Sequence, residues 1–245
     1  MDRMPTPALA GQTVVLIGGS AGIGLETGRL ARAEGADVIL TGRNQDRLDQ
    51  AARDIGALRT AAFDATDAAA LAGFFQDVPG PIDHVLITAG GPRYGPLLEM
   101  DPAEVALAVS DHIVLALGVA RNAASRMRPG GTLLLMGGTG GRRIARGLGI
   151  VSAGTAALPP FIASLALEIA PVRANLIAAG FVDTPLSARL LGDDLDARRE
   201  ELRTTNPIGR VVTAQDVAAL AVHIMTNTAL TGATYDIDGG QQFVQ

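Results

Sequence analysis

A short apolar run, Thr13 to Ile17, enters the glycine-rich turn Gly18-Gly19-Ser20-Ala21-Gly22-Ile23-Gly24, and a helical stretch follows from Leu25 to Glu34. Gly18 permits the tight turn, Gly22 lets backbone approach a pyrophosphate, and Gly24 lets the helix pack on the strand. Backbone N–H groups of the turn, those of Ser20, Ala21 and Ile23 among them, then face an anion together with the helix N-terminus. The expected ligand is a dinucleotide. Three spaced glycines alone say little, but here they sit between a strand and a helix, as a phosphate cradle requires. The plainer alternative is a glycine-rich turn that binds nothing.

The rest of the chain is consistent with that opening. Strand-like runs at Thr13–Ile17, Asp37–Thr41, Leu58–Phe63, His84–Thr88, Thr132–Met136, Arg173–Ile177 and Thr234–Ile237 alternate with helical stretches near Ile23–Glu34, Gln45–Asp54, Ala68–Gln76, Pro102–Met127, Leu158–Ile169 and Ala214–Thr226. Alternation of this kind predicts an α/β fold, a Rossmann-type doubly wound seven-stranded parallel sheet with helices on both faces, in one domain over residues 1–245. Ligand should lie at the carboxyl ends of the strands. A composition of 48% hydrophobic and only 3% aromatic residues suits a large aliphatic core. The net charge of −5, with no basic run interleaved by aromatics, argues against nucleic acid. There is no cysteine, which excludes disulfide and thiolate chemistry. Met1 to Ala10 lacks the apolar stretch of a signal peptide and no uninterrupted apolar run of spanning length is apparent, so no membrane partner and a cytoplasmic location are expected.

Beyond the glycine turn, five further segments carry a resemblance: Phe63-Asp64-Ala65-Thr66-Asp67, Ala89-Gly90, Gly180-Phe181-Val182-Asp183-Thr184, Pro207-Ile208-Gly209-Arg210 and Asp238-Gly239-Gly240. Over nearly its full length the chain resembles the short-chain dehydrogenases/reductases. That likeness implies hydride transfer between a nicotinamide cofactor and an alcohol or carbonyl, often in tetramers. It also implies that Asp64, next to Ala65, accepts from the adenine amino group, that Gly90 lets the adenosine half lie close to the fourth strand, and that Val182 and Thr184 hold the nicotinamide carboxamide.

The end of the second strand bears on which nicotinamide cofactor is used. An acidic residue there would bind the ribose hydroxyls of NAD, whereas this chain has Gly42 followed by Arg43. A guanidinium pairs with a 2′-phosphate through two charge-assisted hydrogen bonds, and Ser20 can add another. NADP(H) is therefore favoured over NAD(H), the alternative for Arg43 being an ordinary solvated cation.

The catalytic half departs from the family it resembles. Its usual active site combines Asn, Ser, Tyr and Lys, with Tyr as general acid or base and Lys lowering the Tyr pKa. This chain has no lysine at all, and its two tyrosines, Tyr94 and Tyr235, lie off the relevant helix. Aligned on Ser164-Leu165-Ala166-Leu167-Glu168, the Tyr and Lys positions hold Val151 and Thr155. Aligned on the fifth strand and on Met127, the Ser and Asn positions hold Gly138 and His112. Pro159-Pro160 should start or kink the following helix near Leu158, leaving Val151 to Thr155 in a separate turn with Ser152 and Thr155 redirected.

Candidate replacements are few. His112 has a pKa near neutrality and should face the cleft, where it serves as acid or base or merely bonds the helix backbone. Thr139 offers a hydroxyl that orients a substrate oxygen, unless it is an ordinary loop threonine. Tyr94 is the one tyrosine able to reach the pocket. His84 and His223 read as structural, and three isolated histidines have no metal-ligand spacing. Arg142, Arg143 and Arg146 follow the fifth strand with no acid in their loop; they clamp an anionic substrate group, or form a solvated loop, or pair with a neighbouring subunit. Residues 184–206 read as a helical lid.

Three functions remain open from sequence: an NADP(H)-dependent oxidoreductase with a displaced proton donor, a retired NADP(H)-binding or sensing protein, and a non-redox enzyme on the same scaffold. The intact Gly180 to Thr184 segment favours the first. The stretches Pro102–Met127 and Leu158–Ile169 are apolar on more than one face, which predicts a homo-oligomer, a tetramer by resemblance or else a dimer.

Overall fold

Val14, Leu16, Leu40, Leu86, Leu134 and Ile177 bury one face of a sheet, while Val15, Ile17, Ile39, Val85, Ile87, Leu133 and Leu135 bury the other. Strands apolar on both faces belong in a parallel sheet covered on both sides. The computed structural model describes residues 7–142 and 144–244 and has that form. Among the described residues the strands are β1 (Thr13–Ile17), β2 (Asp37–Gly42), β3 (Arg59–Ala62), β4 (Ile82–Ile87), β5 (Met127–Gly138), β6 (Arg173–Ala179), β7 (Val182–Asp183), β8 (Val212–Thr213) and β9 (Thr234–Ile237). Seven make one parallel sheet in the order β3-β2-β1-β4-β5-β6-β9, and β7 pairs with β8 separately.

The helices are α1 (Gly22–Ala33), α2 (Gln45–Ile55), α3 (Ala68–Asp77), α4 (Pro102–Ala123), α5 (Gly149–Ala156), α6 (Leu158–Glu168), α7 (Pro185–Leu191), α8 (Leu195–Thr205) and α9 (Ala214–Thr226). Phe75, Leu115, Val119 and Ile162, from α3, α4 and α6, cover one face of the sheet. Ala31, Leu48, Val217 and Ile224, from α1, α2 and α9, cover the other. Strand order reverses between β1 and β4, so a crevice opens there at the carboxyl edge.

Two expectations are adjusted. The long helix does not reach Met127: α4 ends at Ala123, a 3-10 turn spans Ala124–Arg126, and Met127 begins β5. Pro129 explains this, since it has no N–H to continue a helix and biases Arg128 toward extended backbone. Both prolines do start a helix, in the first turn of α6, but Val151 to Thr155, expected in a separate turn, lie in the helix α5, where i to i−4 bonds such as Ser152 N–H to Leu148 O at 2.8 Å continue the helical backbone.

The expectation that nothing is long and apolar enough to span a membrane also changes. By length and composition Pro102–Arg126 and Gly149–Glu168 both qualify, each with a mean hydropathy of 1.7. Both are layer helices that press Leu115, Val119, Leu158 and Ile162 onto the sheet. Their outer apolar side chains stay open, with Val114 64% and Leu167 83% exposed.

At the opposite edge of the sheet, away from the crevice, His84 is buried with Nε2 2.7 Å from Gln12 Oε1. Desolvation, helped by the Arg173 charge, pulls its pKa down to about 3, so it stays neutral. Arg173 is itself buried and donates to the carbonyls of Ile224, Met225, Asn227 and Leu230, which fixes the end of α9.

Candidate functional site

The glycine cradle is packed so tightly that its residue types are dictated. Gly18 has φ +105, and a Cβ there would stand 2.6 Å from Thr88 Oγ1. A Cβ on Gly24 would overlap the Gly18 carbonyl oxygen, so α1 lies directly on the turn. Thr88 Oγ1 donates to that same carbonyl at 2.9 Å and locks the turn to the end of β4.

Helix α1 shares with α5, α6 and α8 the lack of a side-chain cap, but α1 is the one that begins at the glycine turn. Side chains of Asn44, Asp67, Asp101, Thr184 and Thr213 cap α2, α3, α4, α7 and α9. In α1 the N-cap is Ala21, which offers no side-chain acceptor, and the first turn has no acid. Its leading N–H groups and positive dipole end are thus left for an external anion. The carboxyl edge of the sheet carries a cleft of about 730 Å³ into which this helix end opens.

Most of the expected residues meet in that cleft. Gly18, Ser20, Ala21, Gly22, Ile23, Gly24, Arg43, Ala89, Gly90, Gly180, Val182 and Thr184 all line it, as do Tyr94, His112, Thr139 and Thr155. Val151 and Gly138 line it too, so the four positions aligned with the family's Tyr, Lys, Ser and Asn converge. Asp64 and Ala65 are not among the lining residues. Asp64 is exposed beyond β3, and its Oδ1 accepts from Thr66 N at 3.0 Å and Thr66 Oγ1 at 2.8 Å. Those bonds, aided by Arg43, hold its carboxyl below the usual range.

Several side chains have local assignments that differ from the expected ones. Thr155 donates its hydroxyl to Val151 O at 2.7 Å and Ser152 O at 3.2 Å, so its proton is committed to α5. Gly180 is explained by packing, because a Cβ there would meet Asp238 Cβ at 2.6 Å. Thr184 closes a capping box with Ser187, its N–H donating to Ser187 Oγ at 2.9 Å. Its methyl side faces Gly22 across the cleft, 3.5 Å from where a Cβ would be.

The expected arginine clamp is not assembled. Arg142 donates from Nη1 and Nη2 to both carboxylate oxygens of Asp236, each at 2.5 Å, beside a smaller pocket of about 400 Å³. Arg146 is exposed and does not line the main cleft, and Arg143 lies outside the described residues. The acid missing from that loop comes from β9, two strands away in the sheet.

Other arginines, which sequence reading passed over, do line the cleft: Arg47, Arg189 and Arg198. Arg47 stands in the first turn of α2, its N–H bonded at 2.9 Å to the Asn44 cap, which brings its side chain to the Arg43 end. The cap three residues ahead of it was a readable signal. Gly42 brings Ser20 into the same corner, since a Cβ there would stand 3.2 Å from Ser20 Oγ. Neither Arg43 nor Arg47 has an ion-pair partner among the described residues. Among the described residues no aspartate or glutamate lines the cleft. A cradle without room for a Cβ, an uncapped helix and two unpaired cations fit a dinucleotide with a 2′-phosphate.

At the other end, the His112 ring lies beside Gly90, with Nε2 3.7 Å from where a Gly90 Cβ would be. Burial lowers its pKa below 6.5, against an upward pull from Asp111. Tyr94 is 55% exposed, yet desolvation inside the cleft raises its pKa, against a downward pull from Arg198. Both side chains are therefore uncharged at neutral pH. Thr139 is buried in the turn after β5 with its side chain at the cleft wall.

Residues 184–206, expected to form a lid, fold as α7, a 3-10 turn at Gly192–Asp194, and α8. Arg199 fastens α8 to β7, donating to both oxygens of Asp183 at 2.8 and 2.9 Å. Among the described residues no group of three His, Cys, Asp or Glu is arranged to hold a metal.

Strand order and cradle together define a doubly wound α/β protein of the dinucleotide-binding type. Residues 18–242 match the family described as enoyl-(acyl carrier protein) reductase, and the chain belongs to the short-chain dehydrogenase/reductase family. It is 27% identical to the short-chain dehydrogenase/reductase ATR9 of Stachybotrys chlorohalonatus, over 96% of this chain and 98% of that protein. It is 29% identical to an NADP-dependent (R)-specific alcohol dehydrogenase of Lentilactobacillus kefiri, over 96% and 98%. The solved structure of BdcA in complex with NADPH superposes with a TM-score of 0.84 at 27% identity and 95% coverage of each chain.

Proposed function

We propose that this protein is an NADP(H)-dependent oxidoreductase acting on a carbonyl or alcohol, with His112 in place of the family's tyrosine as the proton-handling group. The observation that carries the reading is the single cleft that joins the glycine cradle, the unpaired Arg43 and Arg47, and the neutral His112. The NADPH-bound BdcA structure and the NADP-dependent relative support the cofactor. When bound, the reduced cofactor supplies a hydride, or its oxidised form accepts one.

Ser20, Arg43 and Arg47 hold the 2′-phosphate, and the N–H groups of Ala21, Gly22 and Ile23 hold the pyrophosphate. Arg189 lies one helical turn after Pro185, whose ring faces Gly22, so its guanidinium adds a cation over the cradle. Val182 and Thr184 support the nicotinamide. Protonated at Nε2, His112 donates to a carbonyl oxygen; neutral, it accepts the proton of an alcohol. Thr139 orients that oxygen through its hydroxyl. The proton committed to α5 leaves Thr155 only as an acceptor.

Simple ketones are expected to react slowly, because loss of a well-matched general acid costs about 10²–10⁴-fold. The test is transfer of deuterium from NADPH deuterated at C4 into alcohol product across a carbonyl panel. Label in product supports the oxidoreductase. Tight NADPH binding with no label in any product supports a binding or sensing protein.

The exposed Leu107, Val114 and Leu167 on α4 and α6 support a homo-oligomer.

A further inference from the structure

We propose that the substrate end of the cleft selects a molecule with an apolar body and a carboxylate, the anion being held between Arg198 of α8 and the hydroxyl of Tyr94. This inference rests on the reading above that the cleft is where substrate is bound. Among the described residues the charged side chains lining the cleft are four arginines, against no acid. Arg43 and Arg47 lie at the β2 end and Arg189 on the face of α7 toward the cradle, which leaves Arg198, on α8, as the cleft arginine with no part in the cofactor reading.

Arg198 is not neutralised within the cleft. Its partner, Glu201, sits one turn along α8, is half exposed, and takes only Nη1, at 2.6 Å. The remaining guanidinium N–H groups have no hydrogen-bond acceptor among the described residues. Tyr94, on the segment between β4 and α4, has no side-chain hydrogen bond among the described residues either and lines the same cleft as Arg198, whose charge draws its pKa down against the larger upward push of burial. A phenol and a guanidinium that share a cavity wall are both donors, and a carboxylate is the group that accepts from both.

The surrounding wall is apolar, with Leu148, Val151, Leu186 and Leu190 lining the same cavity. Such a wall adds affinity for an aliphatic or aromatic body and none for a sugar. Arg142, one of the three arginines that the sequence offered for an anion clamp, is held by Asp236 and does not compete for this role.

The experiment is isothermal titration of the full-length protein with a series of 2-oxo carboxylates bearing alkyl or phenyl bodies, each compared with its uncharged methyl ester. Titrations are run with and without saturating NADPH, and NADPH affinity is measured separately by fluorescence. At least one acid should bind about tenfold or more tighter than its ester, as a charge-assisted pair supplies. That preference should shrink with added sodium chloride and vanish in Arg198→Met, while NADPH affinity is unchanged. Tyr94→Phe, a milder change, should reduce the preference in part.

No acid binding better than its ester, or an unchanged preference in Arg198→Met, overturns the inference while leaving NADP(H) chemistry intact. If Arg198→Met does not fold, the salt dependence and Tyr94→Phe decide. Absence of NADPH binding overturns the proposed function, and the acid-against-ester comparison without NADPH still reads the anion site.

Discussion

Arg142 and Asp236 hold each other through two parallel contacts of 2.5 Å, joining the turn after β5 to the last strand across the carboxyl edge of the sheet. The pair is more than a third exposed on the arginine side, so solvent screening limits its value to about 0.5–1 kcal/mol. Arg142→Ala should lower stability by that amount at neutral pH and leave carboxylate affinity unaltered. Asp236 has its pKa lowered by Arg142 below the ordinary 3.8, so its contribution is complete above that value and lost as pH falls through the lowered one. Urea melts of both proteins should therefore differ at pH 7 and converge at strongly acidic pH. Equal stability at pH 7 contradicts the pairing.

That pair also shows what sequence could and could not reveal. The cradle was legible because strand, turn and helix are contiguous and each glycine has a local steric reason, as at Gly18 and Gly24. Asp236 as the partner of Arg142 was not, since 94 residues separate them and only the strand order β5-β6-β9 brings them together. Arg198 and Tyr94 line one cleft for a similar reason, although the charges of residues 184–206 read as a solvated face. The split at Ala157 was legible from two prolines. The early end of α4 followed from Pro129, a signal present in the chain but outweighed by the apolar run before it.

His112 carries a pH prediction. With its pKa lowered from 6.5 by burial, the imidazolium that the proposed function uses as donor is populated only on the acid side. Carbonyl reduction should accelerate as pH falls below about 6.5, and alcohol oxidation, which uses the neutral ring, should slow over the same range. Steady-state rates over pH 5–9 check this. His112→Ala should abolish both dependences with NADPH affinity nearly unchanged; brisk, pH-insensitive turnover in that variant would assign the proton to another group.

Two glycines with positive φ make a controlled comparison. Gly18→Ala faces Thr88 Oγ1 at 2.6 Å as well as a φ of +105, whereas Gly56→Ala has φ +66 and nothing within 4 Å. The second should cost about 1 kcal/mol from backbone alone. The first should cost more, on the order of 1–3 kcal/mol of strain with steric overlap added, and should remove NADPH binding. Thermal melts and NADPH titration separate the two, and similar losses in both variants would contradict the packing described for the cradle.

The apolar side chains left open on α4 and α6 predict self-association. Light scattering at micromolar concentration should give a mass two or four times that of one chain, and Leu167→Asp should shift it toward a single chain. A monomeric wild-type protein would refute this.

Fluorescence titration with NADPH and NADH tests most directly whether Gly18–Gly24 cradle NADP(H) with Arg43 and Arg47 reading the 2′-phosphate. Wild-type protein should bind NADPH more tightly by about 1–3 kcal/mol, and Arg43→Ala/Arg47→Ala should bring NADPH affinity down to that of NADH without altering NADH binding. Equal affinities in the wild type, or an NADPH preference that survives in the double variant, would contradict such a site.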